Sequence, residues 1–162
     1  MSTTHRHPYA DHPLQAASQR ARCDRNASLD ALHVLEAVLS EPAPNRADRW
    51  LARVRTALDA LQTTLDTQGD NDHETDSLLS EIRTEQPRLV PRIDGLRCEQ
   101  HSLTEATVSL ARELTGSAQG ELIDPGDVRD RLAELARRIR HHRAQEADLV
   151  YEAVNIDLGG GD

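Results

Sequence analysis

A histidine and a glutamate lie one helical turn apart on the apolar stripe of the chain's last predicted helix. The stripe runs from Val128 to Ile139 in steps of four and three residues and resumes at Leu149, with His142 and Glu146 between. A stripe with this spacing is the buried face of a helix. Burying an imidazole and a carboxylate there is costly unless each finds a partner or a metal ion. The pattern predicts either a metal site or a buried hydrogen-bonded pair.

Polar residues on two other predicted helices could complete such a site. The stripe of the second helix continues to Gln68 and Asp72, and the third helix carries Gln100 on its stripe with His101 beside it. Imidazole and carboxylate ligands together suit iron. In the metal interpretation such residues complete the ligand set of the ion. In the other interpretation the pair bonds to Gln68, Asp72 or Gln100 and fixes the helix register.

Four long amphipathic helices are expected to position these residues. The first covers 14–39 and stops at the Pro42–Pro44 break. The second follows Asn45 and frays or ends at Gly69 and the acidic stretch 70–76, after which a short amphipathic piece can occupy 78–82. The third runs from about 87 to 116, and the fourth follows Asp124 to about 156. Long helices with short connections predict an all-α, antiparallel up-down four-helix bundle.

The bundle is assigned to residues 14–158, between a flexible His-rich tail (1–13) and a flexible Gly-rich C-terminus (159–162). Twelve stripe residues are predicted to be buried: Leu51, Val54, Leu58, Leu61, Leu65, Leu96, Leu103, Leu110, Leu132, Leu135, Ile139 and Leu149.

Composition narrows the possible partners. The chain has 28 acidic and 19 basic residues and a net charge of −9, so nucleic acid and anionic membranes are poor partners. No apolar run is long enough to span a membrane, and the polar start does not resemble a signal peptide. Cys23 and Cys98 have no CxxC spacing, which favours reduced thiols and a cytoplasmic protein. The chain is expected to be a monomer or a homodimer, and a further hypothesis is a subunit that dimerises through an exposed apolar strip near Trp50.

Calcium binding and nucleophilic or phosphate chemistry have weaker support in the sequence. The acidic run Asp70–Asp76 with Glu81 resembles a calcium-binding loop, but Thr75 occupies the position where such loops need glycine, so a solvated acidic loop is the default. The sequence has no nucleophile elbow and no glycine-rich phosphate loop, and whether the protein is an enzyme is left open.

The last half of the chain resembles the hemerythrin-like (HHE) four-helix bundles. His142-Arg-Ala-Gln-Glu146, followed by an apolar turn that ends at Tyr151, resembles the family's HxxxE motif. The stretch from Leu96 to His101 is close to the family's LxxEH, and the segment 78–92 leads into it. The resemblance implies a non-haem iron centre, with one or two ions, that binds dioxygen or responds to iron, peroxide or nitric oxide.

The remaining family ligands have no direct counterparts. Where the family's second helix carries HxxxE, this chain offers Gln68 and Asp72, or alternatively Glu81 and Glu85. The metal ligands that the resemblance implies are His142, Glu146, His101 and Asp72. On the first helix His33 is available, although the helical wheel places it towards solvent. Two functions follow as hypotheses: a hemerythrin-like iron-binding protein with oxygen- or redox-linked chemistry, or a metal-free helical interaction module that has lost the family's ligands.

Overall fold

Five α-helices make up most of the computed structural model, which describes residues 13–42, 47–73, 77–116 and 123–157. They are α1 (Pro13–Ser40), α2 (Ala47–His73), α3 (Leu78–Glu85), α4 (Val90–Gly116) and α5 (Pro125–Asp157), and a 3-10 turn (Pro87–Leu89) joins α3 to α4. These ranges contain no strand, so the all-α prediction is confirmed for them. The predicted count of four helices is not confirmed, because the short piece expected at 78–82 is a fifth helix of eight residues.

Side-chain caps explain two of the helix starts. The carboxylate of Asp124 accepts a hydrogen bond from the Gly126 amide at 2.9 Å, and Pro125 occupies the first helical position, where its missing N–H costs nothing. The Ser77 hydroxyl likewise accepts from the Ser80 amide at the start of α3.

The second helix does not stop at Gly69, as the sequence suggests, but continues to His73. A glycine within a helix costs only about 1 kcal/mol relative to alanine. Gln68 is buried on this turn, and the Asn71 amide donates to Asp24 of α1 at 2.9 Å. These contacts hold the last turns of α2 in place.

Long helices that follow one another in the chain run antiparallel. The Trp50 indole at the start of α2 donates to the Val38 carbonyl near the end of α1, whereas Asn71 near the end of α2 reaches back to Asp24. The same reversal relates α4 to α5. Arg131 near the start of α5 pairs at 2.5 Å with Glu113 of α4, and the far end of α5 contacts the first turn of α4.

Arg129 ties the start of α5 to the end of α1. Its guanidinium donates to the carbonyls of Leu39 (2.8 Å) and Glu41 (2.6 Å) and lies 4.6 Å from the centre of the Trp50 ring. The last carbonyls of a helix lack partners within the helix and carry partial negative charge, so a cation is well placed there. The contact over the indole face adds a cation–π attraction.

The apolar interior consists of two clusters. The larger one is formed by α1, α2, α4 and α5. The smaller one is formed by α3, the 3-10 turn, the first turns of α1 and α4 and the last turns of α5. Eleven of the twelve predicted core residues are buried, and the exception is Leu110, which is only partly buried at the edge of the larger cluster. Within the described residues, no helix is long and apolar enough to cross a membrane.

Candidate functional site

A buried polar layer separates the two apolar clusters. On α5 the larger cluster ends at Ile139 and the smaller one resumes at Leu149; on α4 the corresponding residues are Leu103 and Leu96. Between them, α2, α4 and α5 contribute five polar side chains, each at most 5% exposed, which we call the polar layer: Gln68, Gln100, His142, Arg143 and Glu146. The predicted burial of His142 and Glu146 on the α5 stripe is therefore observed.

Arg143 is the centre of this layer. Its guanidinium donates to the Glu146 carboxylate at 2.6 Å and to the Gln100 side-chain oxygen at 3.0 Å. The Gln100 amide nitrogen in turn donates to the backbone carbonyl of Leu65 at 2.9 Å. One chain of hydrogen bonds therefore connects α5 through α4 to α2. The charges of Arg143 and Glu146 offset each other, as a buried ion pair requires.

His142 has a separate partner. Its Nδ1 lies 3.3 Å from Oε2 of Glu99, a residue of α4 whose side chain is about one-third exposed. Burial lowers the pKa of His142, and the positive charge of Arg143 lowers it further, while the bond to Glu99 acts in the opposite direction. The imidazole is therefore neutral at pH 7. A neutral ring satisfies the contact when Nδ1–H donates to the Glu99 carboxylate.

Two buried polar atoms of the layer have no hydrogen-bond partner in the described part of the chain. They are the side-chain oxygen of Gln68 and Nε of Arg143. One is an acceptor and the other a donor, and each unsatisfied group of this kind costs about 1–3 kcal/mol.

The ligands expected from the sequence are not brought together around one point. His101 points away from the layer, with 75% of its side chain exposed and its Nε2 3.4 Å from Glu105. Asp72 belongs to α2, but its side chain lies outside the described residues. The alternatives Glu81 and Glu85 belong to α3 and not to the second helix.

The remaining histidines and the acidic run also lie elsewhere. His33 is exposed, as the helical wheel indicates, and so is His141. Asp70 to His73 form the last turn of α2, which differs from the turning loop that calcium needs. The rest of that run (74–76) and the His-rich tail up to residue 12 lie outside the described residues.

The polar layer does not fit an iron ion. Iron would need the Glu146 carboxylate as a ligand, but that carboxylate is bonded to a buried guanidinium, whose positive charge would repel a metal cation at the same oxygens. Among the described residues, no group of three or more His, Cys, Asp or Glu side chains is arranged to hold a metal ion.

Arg143 and Glu99 are the two members of the site that the sequence reasoning missed. A signal for Arg143 was present, because an arginine three residues before a glutamate on a helix can pair with it. Glu99 is adjacent to Gln100, which was recognised as a residue of the α4 stripe. Its contact with His142 depends on how α4 and α5 are rotated against each other.

Comparison of the chain with protein-family models, with curated proteins and with solved structures gives no match. The resemblance to hemerythrin-like bundles therefore rests on the short motifs of α4 and α5.

Proposed function

We propose that this protein is a metal-independent helical interaction module, in which α1, α2, α4 and α5 act as an antiparallel bundle and α3 covers one end. The observation that carries the proposal is the bond between Arg143 and Glu146. The guanidinium is bonded to Oε2 of the carboxylate that would have to bind the metal ion, and it supplies the positive charge that a metal ion would supply.

The polar layer has a structural task in this proposal. It holds three helices in one register, because sliding α4 by one turn would separate Gln100 from both Arg143 and the Leu65 carbonyl. A buried polar group that is satisfied in only one arrangement can specify that arrangement even where an apolar core would be as stable.

Burial also favours a binding role over catalysis in the layer. His142, Arg143 and Glu146 expose only 2%, 3% and 4% of their surface, so a substrate could not reach them without opening the bundle. A general acid or base must come within hydrogen-bond reach of its substrate. The accessible features of the molecule are its outer faces and the hollows between helices.

The alternative is an iron-binding protein with oxygen- or redox-linked chemistry, as the resemblance implies. It would require the Arg143 guanidinium to leave Glu146 so that the carboxylate could bind metal. One observation favours it, namely the buried Gln68 oxygen without a partner, which an ion or a water molecule could satisfy.

Metal analysis separates the two functions. The protein is purified from iron-supplemented cells, its iron content and absorption spectrum are measured, and its thermal unfolding is followed with and without a chelator. We expect iron well below one ion per chain and the same unfolding midpoint in both conditions, since a resident metal would stabilise the fold by mass action.

Glu146→Gln and a matched surface variant, Glu134→Gln, complete the test. Iron near one or two ions per chain that is lost in Glu146→Gln but retained in Glu134→Gln would overturn the proposal and establish the iron-binding alternative.

A further inference from the structure

Two adjoining hollows run along the boundary between α4 and α5, on the half of the molecule away from α3. One has a volume of about 610 Å³ and lies where α4 ends and α5 begins; the other, of about 360 Å³, continues along the same two helices. Both are lined by Leu110 and Arg131, so they form one surface, which we call the α4/α5 groove. Its apolar lining comes from both helices: Ala106 is partly exposed, whereas Leu132 and Leu135 lie beneath it and are buried.

Leu110 shows that, among the described residues, this groove is a place where the apolar stripe of α4 is only partly covered. Leu103 and Leu114 lie on the same stripe of α4 and are buried, at 0% and 6% exposure. Leu110 is between them, yet it is only partly buried and faces both hollows. A grouped apolar surface rimmed by polar residues is typical of an interaction site.

The rim of the groove is acidic. It contains five carboxylates and two guanidinium groups. The carboxylates are those of Glu113, Asp124, Asp127, Asp130 and Glu134, and the guanidinium groups are those of Arg131 and Arg138. Arg131 is already neutralised by Glu113 at 2.5 Å and Asp127 at 3.6 Å. Glu134 is paired with Arg137 of the same helix. When all three arginines are counted, the rim keeps a net negative charge and attracts positive charge, as does the chain as a whole with its net charge of −9.

The length of the groove suits a helix. On α4 it covers residues 106–116, which corresponds to about 15 Å, or roughly three helical turns. An amphipathic helix places apolar side chains in such a groove at i, i+3 or i+4, and i+7.

We infer that the α4/α5 groove binds a basic amphipathic helix of a partner protein. The apolar face of that helix contacts Leu110 and its neighbours, and its lysine or arginine residues pair with the acidic rim. The inference rests on the proposed function, because it gives the partner of the interaction module a chemical class.

A synthetic peptide tests this with the full-length protein. The probe is a labelled helix of about 14 residues made of leucine and lysine, with leucine at the i, i+3, i+4 and i+7 positions, and binding is followed by fluorescence anisotropy. Two control peptides are a scrambled sequence of the same composition and a version with glutamate in place of lysine. We expect the probe to bind, both controls to bind at least about tenfold more weakly, and binding of the probe to weaken as salt is raised.

Groove variants locate the binding surface. Leu110→Lys places a charge on the apolar floor and should weaken binding by about tenfold or more. Val34→Lys is the matched control, because Val34 is an exposed apolar residue (55%) of α1, outside the groove. Asp130→Lys changes only the exposed rim and should also weaken binding, which keeps the test valid if Leu110→Lys fails to fold. Circular dichroism verifies the fold of each variant.

Several results would overturn the inference: no binding of the leucine–lysine peptide, equal binding of either control peptide, or equal binding by the groove variants and Val34→Lys. A concentration-dependent dimer abolished by Leu110→Lys would assign the groove to a second copy of the chain instead. The iron measurement on the same preparation separates this inference from the proposed function. Iron-free protein that does not bind the peptide refutes the inference alone, whereas stoichiometric iron refutes the proposed function.

Discussion

Replacing Arg143 by methionine should destabilise the protein strongly. Methionine keeps much of the length of the side chain but leaves the Glu146 carboxylate, which is 4% exposed, without its cation and the Gln100 oxygen without its donor. Removing one partner of a buried ion pair costs about 3–5 kcal/mol. Adding the two lost hydrogen bonds gives a similar loss of unfolding free energy, since a bond to a charged group contributes about 1.5–3 kcal/mol.

Urea unfolding followed by circular dichroism measures this loss. With a slope of about 2 kcal/mol per molar urea, the midpoint should fall by roughly 2 M. Arg137→Met is the matched control, because Arg137 forms the same kind of pair with Glu134, three residues away on the same helix, but with side chains 69% and 55% exposed. An exposed pair contributes about 0–1 kcal/mol, so this variant should unfold close to the wild type.

The double variant Arg143→Met/Glu146→Leu tests the same reasoning from the other side. It removes both buried charges and should lie within about 1–2 kcal/mol of the wild type, because an apolar replacement of a buried ion pair is often neutral or stabilising. The reasoning is refuted if Arg143→Met loses no more stability than Arg137→Met, or if the double variant is as unstable as the single one.

Two further predictions concern His142 and the apolar core. Because burial lowers the pKa of His142 in the folded state, the unfolded chain binds more protons below about pH 6.5. The folded state is therefore fully stable, as far as His142 is concerned, above the pKa of this residue in the unfolded chain. It loses stability as the pH falls from there towards the lower pKa of His142 in the folded protein. His142→Leu should therefore flatten the dependence of the free energy of unfolding on pH between 7 and 5; an unchanged slope would show that His142 is not its source. Leu135→Ala should cost about 2–5 kcal/mol, because Leu135 is buried, and Leu110→Ala clearly less. If denaturant titrations gave equal losses of unfolding free energy for Leu135→Ala and Leu110→Ala, the partial exposure of Leu110 would be contradicted.

Much of the helical architecture could be read from the sequence. Proline breaks and the cap at Asp124 place the ends of α1 and the start of α5 within a residue or two of their observed positions. Apolar spacing identifies the buried face of each long helix, because side chains three or four positions apart share one face whatever the helix packs against. The same rule correctly placed His142 and Glu146 in the interior.

Spacing within one helix could not show what those two side chains contact. Glu146 pairs within α5 with Arg143, but the contact of His142 with Glu99 and that of Arg143 with Gln100 are set by the rotation and height of α4 against α5. The same rotation directs His101 outwards to Glu105. A short motif such as LxxEH contains no information about this rotation, so matching residues need not meet.

The sequence of this protein determines its helical class, its buried stripes and the presence of charge in its core, because these depend on local periodicity and on the cost of burial. The packing of the helices decides whether that charge is balanced by a metal ion or by a side chain. In the folded chain Arg143 balances Glu146, and Leu110 remains uncovered between α4 and α5. The Arg143–Glu146 pair is local to α5, but its burial and its bond to Gln100 depend on how α5 packs against α4. The partial exposure of Leu110 depends on the same packing, which is set only when the whole core packs together.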